Sequence, residues 1–344
     1  MSAPAPRPRS LRFEVCVVGG GPAGVSAALA ARATCASVGL IAPEPRPGPG
    51  ALELLAGRSR NALGELGLLD VVAGVGQPAV GTVSRWAGTG FDERSCLLDP
   101  DGPGWIVDRA RLDGALRQAA AARGVCVFAG RAATVDPGSG RAQLQGRDVI
   151  ADRVVIAVGG RVGPVRDQVR RELRRRVLAL EVRLKARAVG GLGARLLVDR
   201  AANGWWYALS DSAATHLVYC TDAAELRRGT ADVAALWRTA CRSAADWLPA
   251  SIGTVRPRVR LGAIGAATPV TRGRLSLAGD SALAVDPLSG HGVALAVQTA
   301  LRCHDSAYPQ WIADTARVHI AAEREMYRSA CGPVDGPFWE RQRR

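Results

Sequence analysis

Val15-Cys16-Val17-Val18-Gly19-Gly20-Gly21-Pro22-Ala23-Gly24 is an apolar run that breaks into a glycine turn, with an alanine-rich segment directly behind it. Strand, turn and helix are expected in that order. Gly19 permits the tight turn, and Gly21 lets the backbone approach a pyrophosphate. Gly24 lets the helix pack closely on the strand, with helix N–H groups facing the anion. The pattern is that of a dinucleotide site. Ser37-Val38-Gly39-Leu40-Ile41 reads as the second strand of the βαβ unit, whose end commonly carries a carboxylate for the adenosine ribose. That place holds Ala42, followed by Pro43 and Glu44, so the acid is displaced by two residues or missing.

Outward from this unit, Pro43 to Gly50 reads as a loop, and Glu53 to Gly67 has helical periodicity through Leu54, Leu55, Leu63 and Leu66. Thr82, Val83, Trp86, Phe91, Cys96 and Leu97 suggest short antiparallel strands. Gly104-Trp105-Ile106-Val107 leads into a helix opening at Asp108-Arg109 and continuing to Arg123. Val125 to Ala129 and Val154 to Val158 read as strands, the second stopping at Gly159-Gly160. From about Arg175 to Leu261 the alternation Leu178/Leu180/Val182/Leu184 indicates a mainly antiparallel sheet, interrupted by an amphipathic helix over Val233 to Trp247. Arg274 to Ala278 is a strand ending at Gly279-Asp280, ahead of a helix over Gly292 to Cys303.

The expected class is α/β: a Rossmann-like dinucleotide domain split by an inserted, mainly antiparallel substrate sheet. The dinucleotide domain is assigned 10–80, 105–165 and 265–330, the sheet domain 81–104 and 175–262, and a C-terminal tail 331–344.

With 344 residues, 48% hydrophobic and 22% charged, the chain can bury a large core. No apolar stretch reaches the roughly 18 residues of a membrane span, and no secretory h-region opens the sequence, so a cytoplasmic protein without membrane partners is expected. The eight cysteines show no CxxC or Cys/His ligand spacing, which argues against a metal. Cys16 and Cys126 fall in apolar strands and read as small buried hydrophobes. The net charge is +14, with Lys185 the only lysine, a balance that suits an acidic partner or substrate. The densest run, Arg170-Arg171-Glu172-Leu173-Arg174-Arg175-Arg176, reads as a solvated helix face. No nucleic-acid motif accompanies it, so nucleic acid is set aside.

Gly19 to Gly24, the glycines after Val158, and Gly279-Asp280 with Asp286-Pro287-Leu288-Ser289-Gly290-His291-Gly292 together resemble the flavoprotein monooxygenases of the aromatic-hydroxylase type and the flavin-dependent halogenases. The resemblance implies a glutathione-reductase-type FAD domain in which Asp280 binds the ribityl chain and the Pro287-to-Gly292 loop lays backbone N–H groups on the isoalloxazine. A helix N-terminus stabilises the anionic reduced ring independently of any resemblance. The implied FAD-binding residues are Gly19, Gly21, Pro22, Ala23, Gly24, Glu44, Glu53, Arg109, Gly279, Asp280, Pro287, Gly290 and Gly292. For Arg109 a surface ion pair is the other reading.

A closer likeness spans nearly the whole chain. It is carried by Glu53 with Leu66-Gly67-Leu68, Gly104-Trp105 with Asp108 to Asp113, Asn203-Gly204-Trp205-Trp206-Tyr207, Thr221-Asp222 and Pro337-Phe338-Trp339. This set is similar to the tryptophan-halogenase-like monooxygenases, including the flavoproteins of tryptophylquinone biogenesis, which oxygenate a tryptophan inside a partner protein. Halogenases of this kind carry Trp-x-Trp-x-Ile-Pro and a lysine that captures hypohalous acid. Here Trp205 to Ser210 departs from the motif, and Thr82-Val83-Ser84-Arg85-Trp86 has arginine where the lysine should be.

Oxygenation of an electron-rich ring, an indole or tryptophan, through a flavin hydroperoxide is therefore what the likeness implies. Trp86, Trp105, Trp206 and Tyr207 are the candidate substrate contacts, with sheet core as the alternative for the tryptophans. His291 is the candidate acid or base, or else a capping or hydrogen-bonding residue. Electrons would come from NAD(P)H or a separate flavin reductase. The partner would be an aromatic small molecule or a tryptophan-containing acidic polypeptide. A halogenase, a flavin reductase of carbon–carbon double bonds and a non-catalytic FAD-binding protein remain as alternatives.

Overall fold

The computed structural model describes residues 10–44, 48–144, 147–160, 162–185, 188–222, 224–225, 232–330 and 335–343. Cys331 and the start of the expected tail lie outside them. The elements run β1 (Leu11–Val18), α1 (Pro22–Arg32), β2 (Val38–Ala42), β3 (Leu52–Leu55), α2 (Ser59–Glu65), α3 (Leu69–Ala73), β4 (Gly76–Pro78), β5 (Gly81–Arg85), β6 (Asp92–Ser95), β7 (Trp105–Asp108), α4 (Arg109–Ala122) and β8 (Cys126–Ala129). They continue with β9 (Thr134–Asp136), β10 (Arg141–Leu144), β11 (Arg147–Ile156), β12 (Arg170–Lys185), β13 (Arg195–Ala201), β14 (Gly204–Ser210), β15 (Ala214–Asp222), α5 (Val233–Ser243) and β16 (Arg258–Thr268). Last come β17 (Thr271–Arg272), β18 (Leu275–Leu277), β19 (Leu283–Ala284), α6 (Gly292–Arg302), α7 (Tyr308–Ser329) and α8 (Pro337–Gln342).

The first sheet has the order β17-β18-β11-β1-β2-β8, with β10 and β9 added at β11. β1 lies parallel between β2 and β11, so the chain passes to opposite sides of its first strand. Ligands of open α/β sheets bind at such a switch point, outside the carboxyl ends of the strands. Val15, Cys16, Val17 and Val18 are buried because both faces are covered, and each buried valine is worth about 1.5–3 kcal/mol. α1 is buried along most of its circumference, which its Gly24, Ala27, Ala28 and Ala31 make sterically possible.

The second sheet has the order β19-β16-β12-β15-β14-β13-β5-β6 and is mostly antiparallel. One face packs on α5 through Leu178, Leu180, Leu217, Trp206 and Trp237. β3, β7 and β4 form a small third sheet.

Several expectations are corrected. The expected helix from Glu53 begins instead as β3, paired antiparallel with β7, and only Ser59–Glu65 is helical. Leu52 and Leu55 satisfy a strand's two ends as readily as a helix's stripe. The arginine run 170–176 is not a helix face but the start of β12, with a bulge between Leu173 and Arg175. Cys126 is exposed, because β8 is the sheet's edge strand, while Cys16 is buried in β1. α5 ends at Ser243, short of Trp247. β16 and β19 carry the second sheet to Thr268 and to Leu283–Ala284, across the expected boundary near 265.

Candidate functional site

Three strand ends meet at one crevice: β1 runs into Gly19, β11 into Ala157 and Gly159, and β18 into Gly279-Asp280. The crevice opens into a cavity of about 450 Å³ that extends to the second sheet. Its near wall is backbone. Gly19 has φ +120, and a Cβ there would lie 2.2 Å from the Ala157 carbonyl oxygen. A Cβ on Gly24 would lie 1.7 Å from the Gly19 oxygen, so the turn and α1 close only with glycine at both positions.

Two helix N-termini end at this wall. Neither α1, capped by Gly21, nor α6, capped by His291, has a side-chain hydrogen bond at its cap, so their first N–H groups are available to an anion. Cβ atoms on Gly290 and Gly292 would meet nothing within 4 Å, which leaves room for a flat ring against that backbone. These features fit FAD. Gly21, Pro22 and Ala23 would hold its pyrophosphate, Asp280 its ribityl hydroxyls, and Pro287, Gly290 and Gly292 its ring.

Charged groups frame the crevice. Asp108 caps α4 through the Ala110 and Arg111 N–H groups, which aims Arg109 inward. Arg109 is held by Glu53 (2.9 Å) and Asp113 (2.8 Å). Burial disfavours the charge on Arg109, but the two carboxylates outweigh it and fix the guanidinium as protonated. Glu53 and Arg109 both line the cavity, and the ion pair and the cavity position are thus compatible. Asp280 faces the cavity with protein around its flanks; that enclosure raises its carboxyl, against the pull of Arg109 and Arg171. Glu44 is exposed and does not line the cavity, so no acid from the end of β2 reaches it.

The far wall is side chain. Trp205 and Tyr207 of β14, Leu196 and Val198 of β13, Glu181 of β12, His216 and Val218 of β15, and Arg260 of β16 face the cavity. Of the expected substrate contacts, only Tyr207 lies here. Trp206 points to the opposite face, against Tyr219, Trp237 and Trp247. Adjacent strand residues face opposite ways, so Trp206 and Tyr207 cannot share a wall, and the partner of Tyr207 is Trp205. Period-two alternation was the available signal. Trp105 is buried in the main core beneath Arg60, and Trp86 packs on Trp339 while its Nε1 donates to the Met326 carbonyl (2.8 Å).

Of the two roles expected for His291, its surroundings fit hydrogen bonding and not acid–base work at the cavity. Its ring leaves the cavity for Arg58 and His319, and burial followed by those two groups lowers it to about 4. The histidine on the cavity is His216. Its Nδ1 lies 3.2 Å from the Leu52 carbonyl and its Nε2 3.4 Å from Glu181. Tyr207 donates to the same Leu52 carbonyl (3.1 Å). Glu181 also contacts Arg260; burial alone would raise its carboxyl, but His216 and Arg260 bring it below the ordinary range.

Two arginines of the run 170–176 brace the walls. Arg171 donates to the carbonyls of Gly160 (3.0 Å), Asp280 (2.8 Å) and Gly265 (3.1 Å). Arg175 contacts Asp286, which accepts from the Leu288 N–H at the head of the cofactor loop and from Tyr327. Tyr327 in turn accepts from Trp205 Nε1 at 3.2 Å, so loop and sheet wall are tied through one network. Charge density alone could not reveal this inward face.

Arg85, in the expected lysine strand, is paired with Asp199 and Asp246 on the α5 side of the sheet. Lys185 is exposed at the end of β12, and no lysine lines the cavity. Among the described residues no cluster of His, Cys, Asp or Glu could hold a metal, and no helix is long and apolar enough to cross a membrane.

Residues 13–172 match the family described as pyridine nucleotide-disulphide oxidoreductase. No curated protein matches the chain by sequence. Among solved structures, it is similar to a peptidyl tryptophan dihydroxylase essential for tryptophylquinone cofactor biogenesis (23% identity, TM-score 0.78, covering 96% of this chain and 78% of that one). It is also similar to the myxobacterial chondrochloren halogenase (21%, 0.78, 97% and 86%). A third likeness is to a 2-methyl-3-hydroxypyridine-5-carboxylic acid oxygenase (20%, 0.66, 94% and 90%). The fold is that of the FAD-dependent oxidoreductases of the monooxygenase and halogenase type.

Proposed function

We propose that this chain, built on the fold of the FAD-dependent oxidoreductases, is a monooxygenase that hydroxylates an electron-rich aromatic ring, an indole or a tryptophan. The observation that carries the reading is a single cavity with a backbone wall suited to a flavin and a facing wall of Trp205, Tyr207, Leu196 and Val198. Bound FAD would supply two-electron chemistry and the activation of dioxygen, with electrons from NAD(P)H or a separate flavin reductase.

The chain's own residues would do the rest. The N-termini of α1 and α6 stabilise negative charge, on the pyrophosphate and beside the ring respectively. Trp205 and Tyr207 orient a flat substrate and exclude water. The nitrogens of His216 face the Leu52 carbonyl and the Glu181 carboxylate, which hold the ring in the cavity wall. His216 is the histidine at the cavity, which the His291 ring does not line, and it is the residue here assigned to handle the proton. Residues 81–104 and 175–262, extended by the rest of β16 to Thr268 and by β19, would form the substrate part, and 10–80, 105–165 and 269–330 apart from β19 the cofactor part.

Absence of a cavity lysine favours oxygenation over halogenation. Purified protein given FAD, a reductant, dioxygen, bromide and tryptophan or indole should yield products heavier by whole oxygen atoms. A brominated product, or turnover that proceeds without dioxygen, would overturn the reading.

A further inference from the structure

Arg175 stands at a break in the second sheet. β12 pairs Leu173 with Gly265 and then Arg175 with Ile264, so one residue of β12 is extra and the alternation of faces shifts there. From Arg175 onward every second residue leads to Ala179 and Glu181, both on the cavity wall, and the bulge thus sets Arg175 on that side of the sheet. Three elements meet its guanidinium. It contacts Asp286 at the head of the cofactor loop and Gln342 of α8, lies 3.1 Å from Glu323 of α7, and covers the Tyr327 ring at 4.4 Å from the centroid. Burial disfavours its charge, but Asp286, Tyr327 and Glu323 outweigh that and keep the group protonated.

Asp286 is the group that needs this charge. It is 2% exposed, lines the cavity and immediately precedes Pro287. It accepts from the Leu288 N–H at 2.8 Å and from the Tyr327 hydroxyl at 3.3 Å. An asparagine could keep the Leu288 bond, so the turn itself does not require a carboxylate. A buried ion pair also adds little stability over neutral groups of similar shape. The charges bear instead on what lies beside them. A flavin gains negative charge on reduction, and a bare carboxylate at its loop would oppose that gain. Asp280, the other aspartate on the cavity, already has Arg109 and Arg171 to pull against its charge. Glu323 has Arg174 as a second partner at 3.6 Å, so Asp286, Glu323, Arg174 and Arg175 together sum to zero.

We propose that Arg175 sets the reduction potential of the bound flavin by cancelling the Asp286 carboxylate, which leaves the Pro287-to-Gly292 loop free to stabilise the reduced ring. Arg175 does not line the cavity and acts through Asp286, as a positioning residue. The proposal rests on FAD binding and not on the hydroxylation proposed above, so it holds for any reaction of that flavin.

The test is the midpoint potential of FAD on the full chain, read by spectral titration against a dye of known potential. R175M leaves Asp286 uncompensated and should lower the ratio of reduced to oxidised FAD affinity about tenfold, or about 30 mV for two electrons. D286N leaves Arg175 in excess and should raise that ratio by a similar factor. R175M/D286N is neutral again and should return close to the unsubstituted value, as should R175K, which keeps the charge without the planar fork. If R175M alone does not fold, the drop from D286N to the double variant measures the same charge. A brace without an electrostatic role predicts weaker FAD in both single variants and no opposed shifts. Shifts of one sign, or none, would therefore overturn the proposal and leave FAD binding intact. A chain that takes up no FAD would overturn it together with the cofactor reading.

Discussion

One wall of the cavity is made of backbone and the other of side chains, and they are held by different physics. At Gly19 and Gly24 the main chain itself fills the space, and a single added carbon collides with a carbonyl oxygen. At Trp205, Tyr207 and Val198 the wall stands on an antiparallel sheet whose other face is a separate core around Trp206 and Trp237. The backbone wall is therefore intolerant of added atoms at Gly19 and Gly24, where main chain meets main chain, and open at Gly290 and Gly292. The side-chain wall can change its lining without losing its support, provided the opposite face is kept.

The sharpest way to break this contrast is at Gly24. Gly24→Val should abolish FAD binding or folding, a loss of roughly 100-fold or more from overpacking and strain, read from the flavin absorbance of the purified protein. A yellow, stable variant would show that the backbone wall yields.

A paired substitution tests the sheet next. Trp206→Ala should cost about 3–5 kcal/mol of stability, seen as a large fall in Tm, because it empties a fully buried site. Trp205→Phe should move Tm much less and instead raise KM for the aromatic substrate. Reversed outcomes would mean that the faces of β14 are assigned the wrong way round.

Asp280→Ala comes third. Losing a carboxylate that faces the cofactor should weaken FAD by about 1.5–3 kcal/mol, roughly ten- to a hundredfold, in a fluorescence titration. Unchanged affinity would remove Asp280 from the cofactor wall.

The smallest effect lies behind the backbone wall. His291 titrates at about 4 in the fold against 6.5 for a free ring, through burial first and then Arg58 and His319. As pH falls the unfolded ring takes its proton before the folded one, so stability is full above 6.5 and declines from there to about 4. His291→Gln should flatten part of the fall in Tm between pH 6.5 and 4, with His304 and His319, also lowered, keeping the remainder. An identical slope would place the ring outside that cluster.

Much of the backbone wall was legible in advance. The glycine spacing, the strand ends at Gly159 and Gly279, and the loop from Pro287 to Gly292 are local patterns, and a turn needs only its own residues. The ribose acid was not: Glu44, expected among the FAD-binding residues, is exposed and lies outside the cavity, because Pro43 carries it away from the end of β2. The side-chain wall was not. Tyr207 was picked out, but with Trp206 in place of Trp205, and His291 in place of His216. Arg171 and Arg175, read as a solvated surface, turn inward to hold the Asp280 carbonyl and the Asp286 carboxylate.

By itself, the amino-acid order determined that a pyrophosphate-sized anion can sit on α1 and that a flavin-type loop lies some 260 residues further on. Glycine geometry and helix N-termini depend on a few consecutive residues. Which indole faces the cavity and which histidine reaches it were decided only by strand pairing. A strand's alternation fixes that neighbours face apart, but the partners packed on each face decide which of the two sides becomes the site.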